Sequence, residues 1–325
     1  MEYPLIDLLE LDVPGPEKSW VRAYGRRLNS LFEELLSISD LSKGELAKLL
    51  GVSKAAVQNW TKDGEAVPLK AFALLAGRKP ETRRAVVESI EMLRFGRTGE
   101  LVKAVNKLVP ELAQIAGAHA ADGSLTAIGG RGLLTAEWEI GDSYRENVEA
   151  VYEAIVKLFG PIIDKPKRRG KMWRLRTRTQ VVPRYLVKIF GFPIGEKEHT
   201  VSMPKVLKDP RLLLSPVSPE VLKELQLAFV KELFAFDGYV TLSGGVVQIG
   251  LYSVSAQLLC DVREVLSSFK IRSKLYGERL IVARKEDILK MYNLNFFRGA
   301  KRQKLQALLF RNLPVLNKLP PVAVS

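Results

Sequence analysis

The order helix, strands, helix, strands, helix occurs twice in this chain, and that duplication limits the fold more than any other feature. In the first copy a helical run, LVKAVNKLVPELAQIAGAHAADG, leads into the strand-like LLTAEWEI. A helix follows, with Val148, Val151, Ile155 and Leu158 as its apolar stripe. Then come the strand candidates PIIDKPK and KMWRLRTRT and the helical VPRYLVKIFG. The second copy opens with a helix over residues 216–236. TLSGGVVQIGLYS follows as a hairpin with a Gly-Gly turn. A helix over residues 256–269, a hairpin in IRSKLYGERLIVA that turns near Gly277, and the helical KEDILKMYNL complete it. Asp122 and Asp237, each followed by glycine, mark equivalent points 115 residues apart. A period this long signals a duplicated domain, not a solenoid. The long, Pro-rich FPIGEKEHTVSMPKVLKDPRLLLSPVSP must cross from one copy to the other.

Ahead of the duplication, the sequence predicts an all-α unit. An irregular arm (residues 1–18) precedes a helical pattern over residues 20–36. LSKGELAKLLGVSKAAVQNWTKDG reads as two short helices, with Leu46, Ala47, Leu50, Val52 and Val57 on the apolar side. Gly51 suits the turn and Ser53 suits the cap of the second helix. The segment resembles the phage-repressor type of helix-turn-helix. That resemblance implies major-groove contacts from Ser53, Lys54, Gln58 and Asn59. Trp60 and Phe72 read as core. Gly96 to Gly99 reads as a linker. The expected boundaries are 1–98 for this domain, 99–200 and 218–312 for the repeats, 201–217 for the crossing and 313–325 for a tail. Removing residues 1–95 is expected to leave the repeats folded.

Charge narrows the partner. Fifty Lys and Arg against 36 Asp and Glu give +14, which favours an anionic partner: nucleic acid, an anionic membrane surface or an acidic protein. One cysteine, Cys260, excludes an internal disulfide and a Cys-based zinc site. Two histidines, His119 and His199, exclude a His-rich metal cluster, so a hydrolytic metal must be held by oxygen, which suits Mg²⁺. No signal peptide opens the sequence and no apolar run is long enough to span a bilayer, so a cytoplasmic protein without a membrane partner is expected. The basic residues cluster on strand candidates. Lys165, Lys167, Arg168, Arg169, Lys171, Arg174, Arg176 and Arg178 lie in and between two of them, and Arg174, Arg176 and Arg178 alternate onto one face. Arg272, Lys274, Arg279 and Arg284 echo them in the second copy, and Gln248 and Tyr252 stand where they could read bases.

The helices that end in the two Asp-Gly pairs carry the chemistry. Ala116, Gly117 and Ala120 are small enough to let another helix backbone approach closely. Side by side, the two helices bring Asp122 and Asp237 together at the base of the two sheets. Adjacent carboxylates repel unless a divalent cation lies between them, and such a cation can activate water and stabilise a leaving oxygen. His119 reads as a packed or solvent-facing helix residue. IAGAHAADG and VKELFAFDG resemble the LAGLIDADG motif: the first at Ala116, Gly117, Ala121, Asp122 and Gly123, the second at Leu233, Asp237 and Gly238. Lys231, Glu232 and Phe236 depart from it; Glu232 must find a basic partner or loosen the interface.

The resemblance, over residues 100–312, is to two-repeat homing endonucleases. It implies an α+β core of two αββαββα units with saddle-shaped antiparallel sheets. The implied protein is a monomer with pseudo-two-fold symmetry that cuts a long asymmetric duplex site. It implies Mg²⁺ or Mn²⁺ at Asp122 and Asp237, with Gly123 and Gly238 beside them in the metal site. It also places a lysine after the last helix of each repeat, Lys197 and Lys301, to polarise water and offset charge in the transition state. The same resemblance admits a non-catalytic DNA-binding regulator with a degenerate core, or a maturase that binds intron RNA.

Overall fold

A computed structural model describes residues 2–96, 99–130, 132–177 and 179–310. Arg178 and the expected tail therefore lie outside the described residues. The N-terminal unit contains β1 (Val21–Tyr24), α1 (Leu28–Ile38), α2 (Lys43–Leu50), α3 (Lys54–Trp60), β2 (Val67–Pro68), α4 (Leu69–Ala76), α5 (Pro80–Ser89), β3 (Met92–Phe95) and β4 (Leu101–Lys103). The first repeat holds α6 (Pro110–Asp122), β5 (Gly123–Ala127), β6 (Ala136–Asp142), α7 (Arg145–Phe159), β7 (Lys167–Arg169), β8 (Met172–Thr177) and α8 (Val181–Arg184). The second holds α9 (Pro219–Phe236), β9 (Gly238–Ser243), β10 (Val246–Tyr252), α10 (Ala256–Ser268), β11 (Lys274–Tyr276), β12 (Arg279–Val282) and α11 (Lys285–Asn293), followed by α12 (Gly299–Leu309).

The duplication is visible in the strand order. The sheets run β5-β6-β8-β7 and β9-β10-β12-β11, antiparallel throughout. Each repeat has the order αββαββα, as expected. The β9–β10 turn falls on Gly244 and Gly245, whose φ values of 55° and 79° suit glycine. The last helix of the first repeat continues past Arg184 as a π-helical turn over Tyr185–Ile189. No helix among the described residues is long and apolar enough to cross a membrane.

The N-terminal unit is not all-α. Its four strands form a sheet in the order β2-β1-β3-β4. In β1, Val21 and Ala23 point into the core while Arg22 and Tyr24 are half-buried, a period of two that the helical reading of residues 20–36 overlooked. Gly25 ends the strand where the chain runs against Ser89; a Cβ there would lie 2.1 Å from the Ser89 carbonyl oxygen. The helix read from Leu101 onward starts only at Pro110, whose fixed φ and missing N–H suit the first helical position. Leu101–Lys103 joins the N-terminal sheet instead, with Met92 opposite Lys103 and Arg94 opposite Leu101. That sheet thus extends into the range expected for the first repeat.

Nor is the arm a loose extension. Leu214 and Leu5 are joined backbone to backbone, Leu5 N donates to Ser215 Oγ, and Ile6 N donates to the Asn106 carbonyl. Leu8 and Leu11 are fully buried. The arm is thus wedged between the crossing segment and the start of the first repeat. The crossing is itself packed, with Met203 and Leu207 buried and Asp261 accepting from Met203 N and Lys208 Nζ. One apolar core runs through the N-terminal unit and both repeats. The expectation that the repeats stay folded without residues 1–95 does not fit this packing.

Candidate active site

The two motif helices meet through the smallest residue in the first of them. A Cβ on Gly117 would lie 2.3 Å from the Phe229 carbonyl oxygen and 3.0 Å from Glu232 Cβ, so only glycine permits the backbones of α6 and α9 this close. Ala116 and Ala120 are buried beside it. Glu232 occupies the position equivalent to Gly117 and is 2% exposed. It is compensated: both of its oxygens accept from the Arg298 guanidinium, Oε2 at 2.9 Å from Nη1. Of the two outcomes expected for Glu232, the basic partner is the one found.

This crossing brings the C-termini of α6 and α9, and with them Asp122 and Asp237, to one place. Burial pushes Asp122 above the usual carboxylate range, and the charge of Asp142 adds to it. Asp237 is pushed up to about 7, by burial first and by the charge of Asp122 second. Lys197 donates to the carbonyls of Ala120 and Ala121, at 2.8 and 2.9 Å. Lys301 does the same at the other helix, to Ala235 at 2.8 Å and Phe236 at 2.6 Å. Each lysine therefore binds the negative end of the motif helix in its own repeat. Burial lowers the Lys197 pKa to about 8 and also lowers Lys301, while the aspartates oppose both shifts. The sequence left His119 open between core and surface; it is core. It is fully buried, its Nδ1 accepts from Trp138 Nε1 at 3.3 Å, and desolvation holds it neutral.

Sequence reasoning overlooked a third carboxylate. Gly123 pairs with Ile140 across β5 and β6, and Gly238 pairs with Leu251 across β9 and β10. Two residues further on stand Asp142 and Ser253, which are therefore equivalent. Each accepts from the backbone N–H two residues ahead, Tyr144 N at 3.0 Å and Ser255 N at 3.1 Å. Asn147 Nδ2 donates to Asp142 Oδ2 at 2.6 Å and to the Ala235 carbonyl at 2.7 Å, tying Asp142 to the opposite motif helix. The two halves of the site are thus chemically unequal. The GDS before α7, against the YSVS before α10, was the available signal.

The donors suit a hard divalent cation. Asp122 and Asp237 converge with two helix C-termini, Asp142 acts on both, and the ammonium groups of Lys197 and Lys301 stand against them. Among the described residues no three His, Cys, Asp or Glu side chains form a protein-only cage. Mg²⁺ and Mn²⁺ commonly use one or two carboxylates and complete their shell with water and phosphate. Gly123 and Gly238 each close tightly on their helix, where a Cβ would meet His119 or the Phe234 carbonyl.

The raised Asp237 pKa has a consequence for stability. A carboxyl whose folded pKa lies above its unfolded value of 3.8 stabilises the fold at low pH and loses that contribution as pH rises through about 7. In EDTA, the parent is expected to lose about 4 kcal/mol between pH 4 and pH 8 relative to Asp237→Asn. Denaturation midpoints at the two pH values check this; parallel profiles would contradict it.

The basic strands flank this centre. In the first repeat Arg174 and Arg176 share an exposed face, and Lys165, Lys167, Arg168, Arg169 and Lys171 are exposed around them. In the second, Lys274, Arg279, Arg284 and Tyr252 are exposed and Gln248 is half-buried. Arg272 is committed elsewhere, with Nε 2.8 Å from the buried Asp287. In the N-terminal unit α2 and α3 meet at Gly51, with φ 69°, and Ser53 caps α3. Ser53, Lys54, Gln58 and Asn59 are exposed, while Trp60 and Phe72 pack edge-on against Phe32 in the core.

Residues 224–305 match the family model described as a LAGLIDADG-like domain. Among solved structures, I-DmoI in complex with DNA and Ca is similar, at 15% identity and a TM-score of 0.42, over 61% of this chain and 98% of that chain. Mesophilic variants of the homing endonuclease I-DmoI match at 14% identity and 0.40, over 61% and 98%. Full-length DUF199/WhiA from Thermatoga maritima matches at 12% identity and 0.39, over 65% of this chain and 63% of that chain. No curated protein matches the chain.

Proposed function

We propose that this chain, whose residues 224–305 match a LAGLIDADG-like domain, is a metal-dependent endonuclease that binds a long asymmetric DNA duplex as a monomer and hydrolyses a phosphodiester in each strand. The observation that carries this reading is the arrangement at the helix ends: Asp122 and Asp237 side by side, each with a lysine on the carbonyls of the residues before it. A structural role alone does not account for it. Burying two carboxylates against two helix C-termini costs stability, as the raised Asp237 pKa records.

Asp122 and Asp237 are the residues that would hold Mg²⁺ or Mn²⁺, which when bound supplies a Lewis acid and an acidified water. Lys197 and Lys301, bonded to the helix-end carbonyls and within the field of both carboxylates, offset negative charge that develops on phosphate oxygens. Asp142 holds Asn147 against the second helix and so fixes the relative position of the two ends. The strand arginines and lysines neutralise the phosphates of a duplex laid across the sheets. Ser53, Lys54, Gln58 and Asn59 of α3 extend the contact into a neighbouring major groove.

Incubating the full chain with a random duplex library and Mg²⁺, then sequencing the ends, is expected to return one recurrent cut site. A library left uncut but selectively bound would support the regulator, and retention of structured RNA alone would support the maturase. Counterion release makes affinity fall steeply with salt. Arg168→Ala with Arg169→Ala, both exposed on the same strands, is expected to weaken binding and flatten the slope of log K against log salt by about 1–2. An unchanged slope removes these strands from the interface.

A further inference from the structure

The arginine stripe of the first repeat is interleaved with glutamates. Trp138 and Ile140 of β6 point into the core, so Glu137 and Glu139 face the other way, onto the same surface as Arg174 and Arg176 of β8. Glu139 lies directly opposite Arg176 in the register. Arg174 Nη1 is 2.6 Å from Glu139 Oε1, Arg176 pairs with Glu137, and Arg176 Nε lies 4.0 Å from Glu139. Glu139, Arg174 and Arg176 border a groove of about 640 Å³. The matching surface of the second repeat is built differently. Thr241 lies opposite Gln248, with Lys274 and Arg279 nearby, and no carboxylate is among the described residues lining that groove of about 1040 Å³.

We infer that the first sheet reads G·C base pairs in the major groove through these Arg–Glu pairs, and that the second sheet does not share this preference. The inference rests on the DNA-binding reading. An arginine already paired with a carboxylate gains little by moving to a phosphate, and its glutamate is then left facing a polyanion. A G·C pair removes both losses at once. Guanine O6 and N7 accept both donors of one arginine, and the amino group on N4 of the paired cytosine donates to the glutamate. An A·T pair offers a donor for the carboxylate but no adjacent pair of acceptors for the guanidinium. The glutamates therefore act against non-specific binding as well as for the right base pair. In the second sheet Glu278 is engaged by Tyr252 and Arg272 by Asp287, while Lys274 and Arg279 have no ion pair among the described residues; with Gln248 they suit adenine and phosphate instead.

The test uses the full chain and a randomised duplex library in EDTA, so that bound molecules stay intact, with the bound fraction sequenced. The expected result is a site with G·C enrichment concentrated in one half. Glu137→Gln with Glu139→Gln should reduce the G·C over A·T preference at those positions by about ten-fold and raise retention of unrelated duplex. The positions that change identify the half under the first sheet. A selected site with equal G·C content in both halves, or a double variant with the parent's preference, overturns the inference and leaves DNA binding standing. Failure to retain any duplex would instead remove the DNA-binding reading itself.

Discussion

Asp122→Asn and Asp237→Asn are each expected to abolish Mg²⁺-dependent cutting of the selected site, by 10³-fold or more, equivalent to about 4 kcal/mol of transition-state stabilisation. Each change keeps the shape of the side chain and removes the charge that would hold the cation. Binding should persist or strengthen, because a carboxylate facing phosphate has gone. The Asp237 variant should also be the more stable protein above pH 7 in EDTA, since its burial and the neighbouring Asp122 disfavour the charged form. Loss of activity through misfolding is thus distinguishable from loss of chemistry. Lys197→Met and Lys301→Met should slow cutting less, by about 10- to 100-fold. They will also lower the denaturation midpoint, because each ammonium holds two helix-end carbonyls. Single-turnover cleavage with bound fraction measured in parallel reads all four. A parent that cuts and an Asp122→Asn variant that cuts at the same rate would place the active site elsewhere; a parent that binds tightly but never cuts points to the regulator.

What the sequence made legible follows from which signals repeat. The duplicated core was readable because the same order of periods, 3.6 then 2, occurs at a fixed offset, and because Asp-Gly ends the motif helix in each copy. Gly117 was readable as a contact because only a missing side chain lets two helices touch backbone to backbone. The N-terminal sheet was not readable. Its strands have two to four residues, too short for an alternation to stand out beside the long helices that flank them. Asp142 was missed because its partner in the second copy is Ser253, so the repeat that pointed to Asp122 and Asp237 gave no echo there. Glu137 and Glu139 escaped because a search for cations along a strand ignores the anions on the strand beside it, and only the register sets Glu139 against Arg176. The departures in the second motif helix became intelligible once Arg298, 66 residues from Glu232, was placed against it.

Arg184→Met is expected to lower the stability of the whole chain by about 3–5 kcal/mol, because it breaks a buried charge network instead of replacing it. Arg184 is 1% exposed in α8 of the first repeat. Its guanidinium donates to the Leu11 carbonyl at 3.1 Å and the Ser19 carbonyl at 2.9 Å, and lies 3.5 Å from Asp12 Oδ1. Burial raises the Asp12 pKa and lowers that of Arg184, so neither group is at ease there without the other. A methionine of similar length refills the space but removes the guanidinium donors from the Leu11 and Ser19 carbonyls and leaves the buried Asp12 carboxylate with the Val13 and Val21 N–H groups but without its ion-pair partner. Asp12→Asn, which keeps an acceptor for Arg184, should cost less, so the ranking of the two variants separates lost donors from lost packing. The same contacts imply that a chain truncated to residues 100–325 will not form a compact monomer, since it loses the fully buried Leu8 and Leu11 and orphans Arg184. Denaturant midpoints for the point variants and sedimentation of the truncated chain check both statements. A truncated chain that is monomeric and unfolds cooperatively at the parent's midpoint would show that the N-terminal unit is only attached to the repeats and is not part of their core.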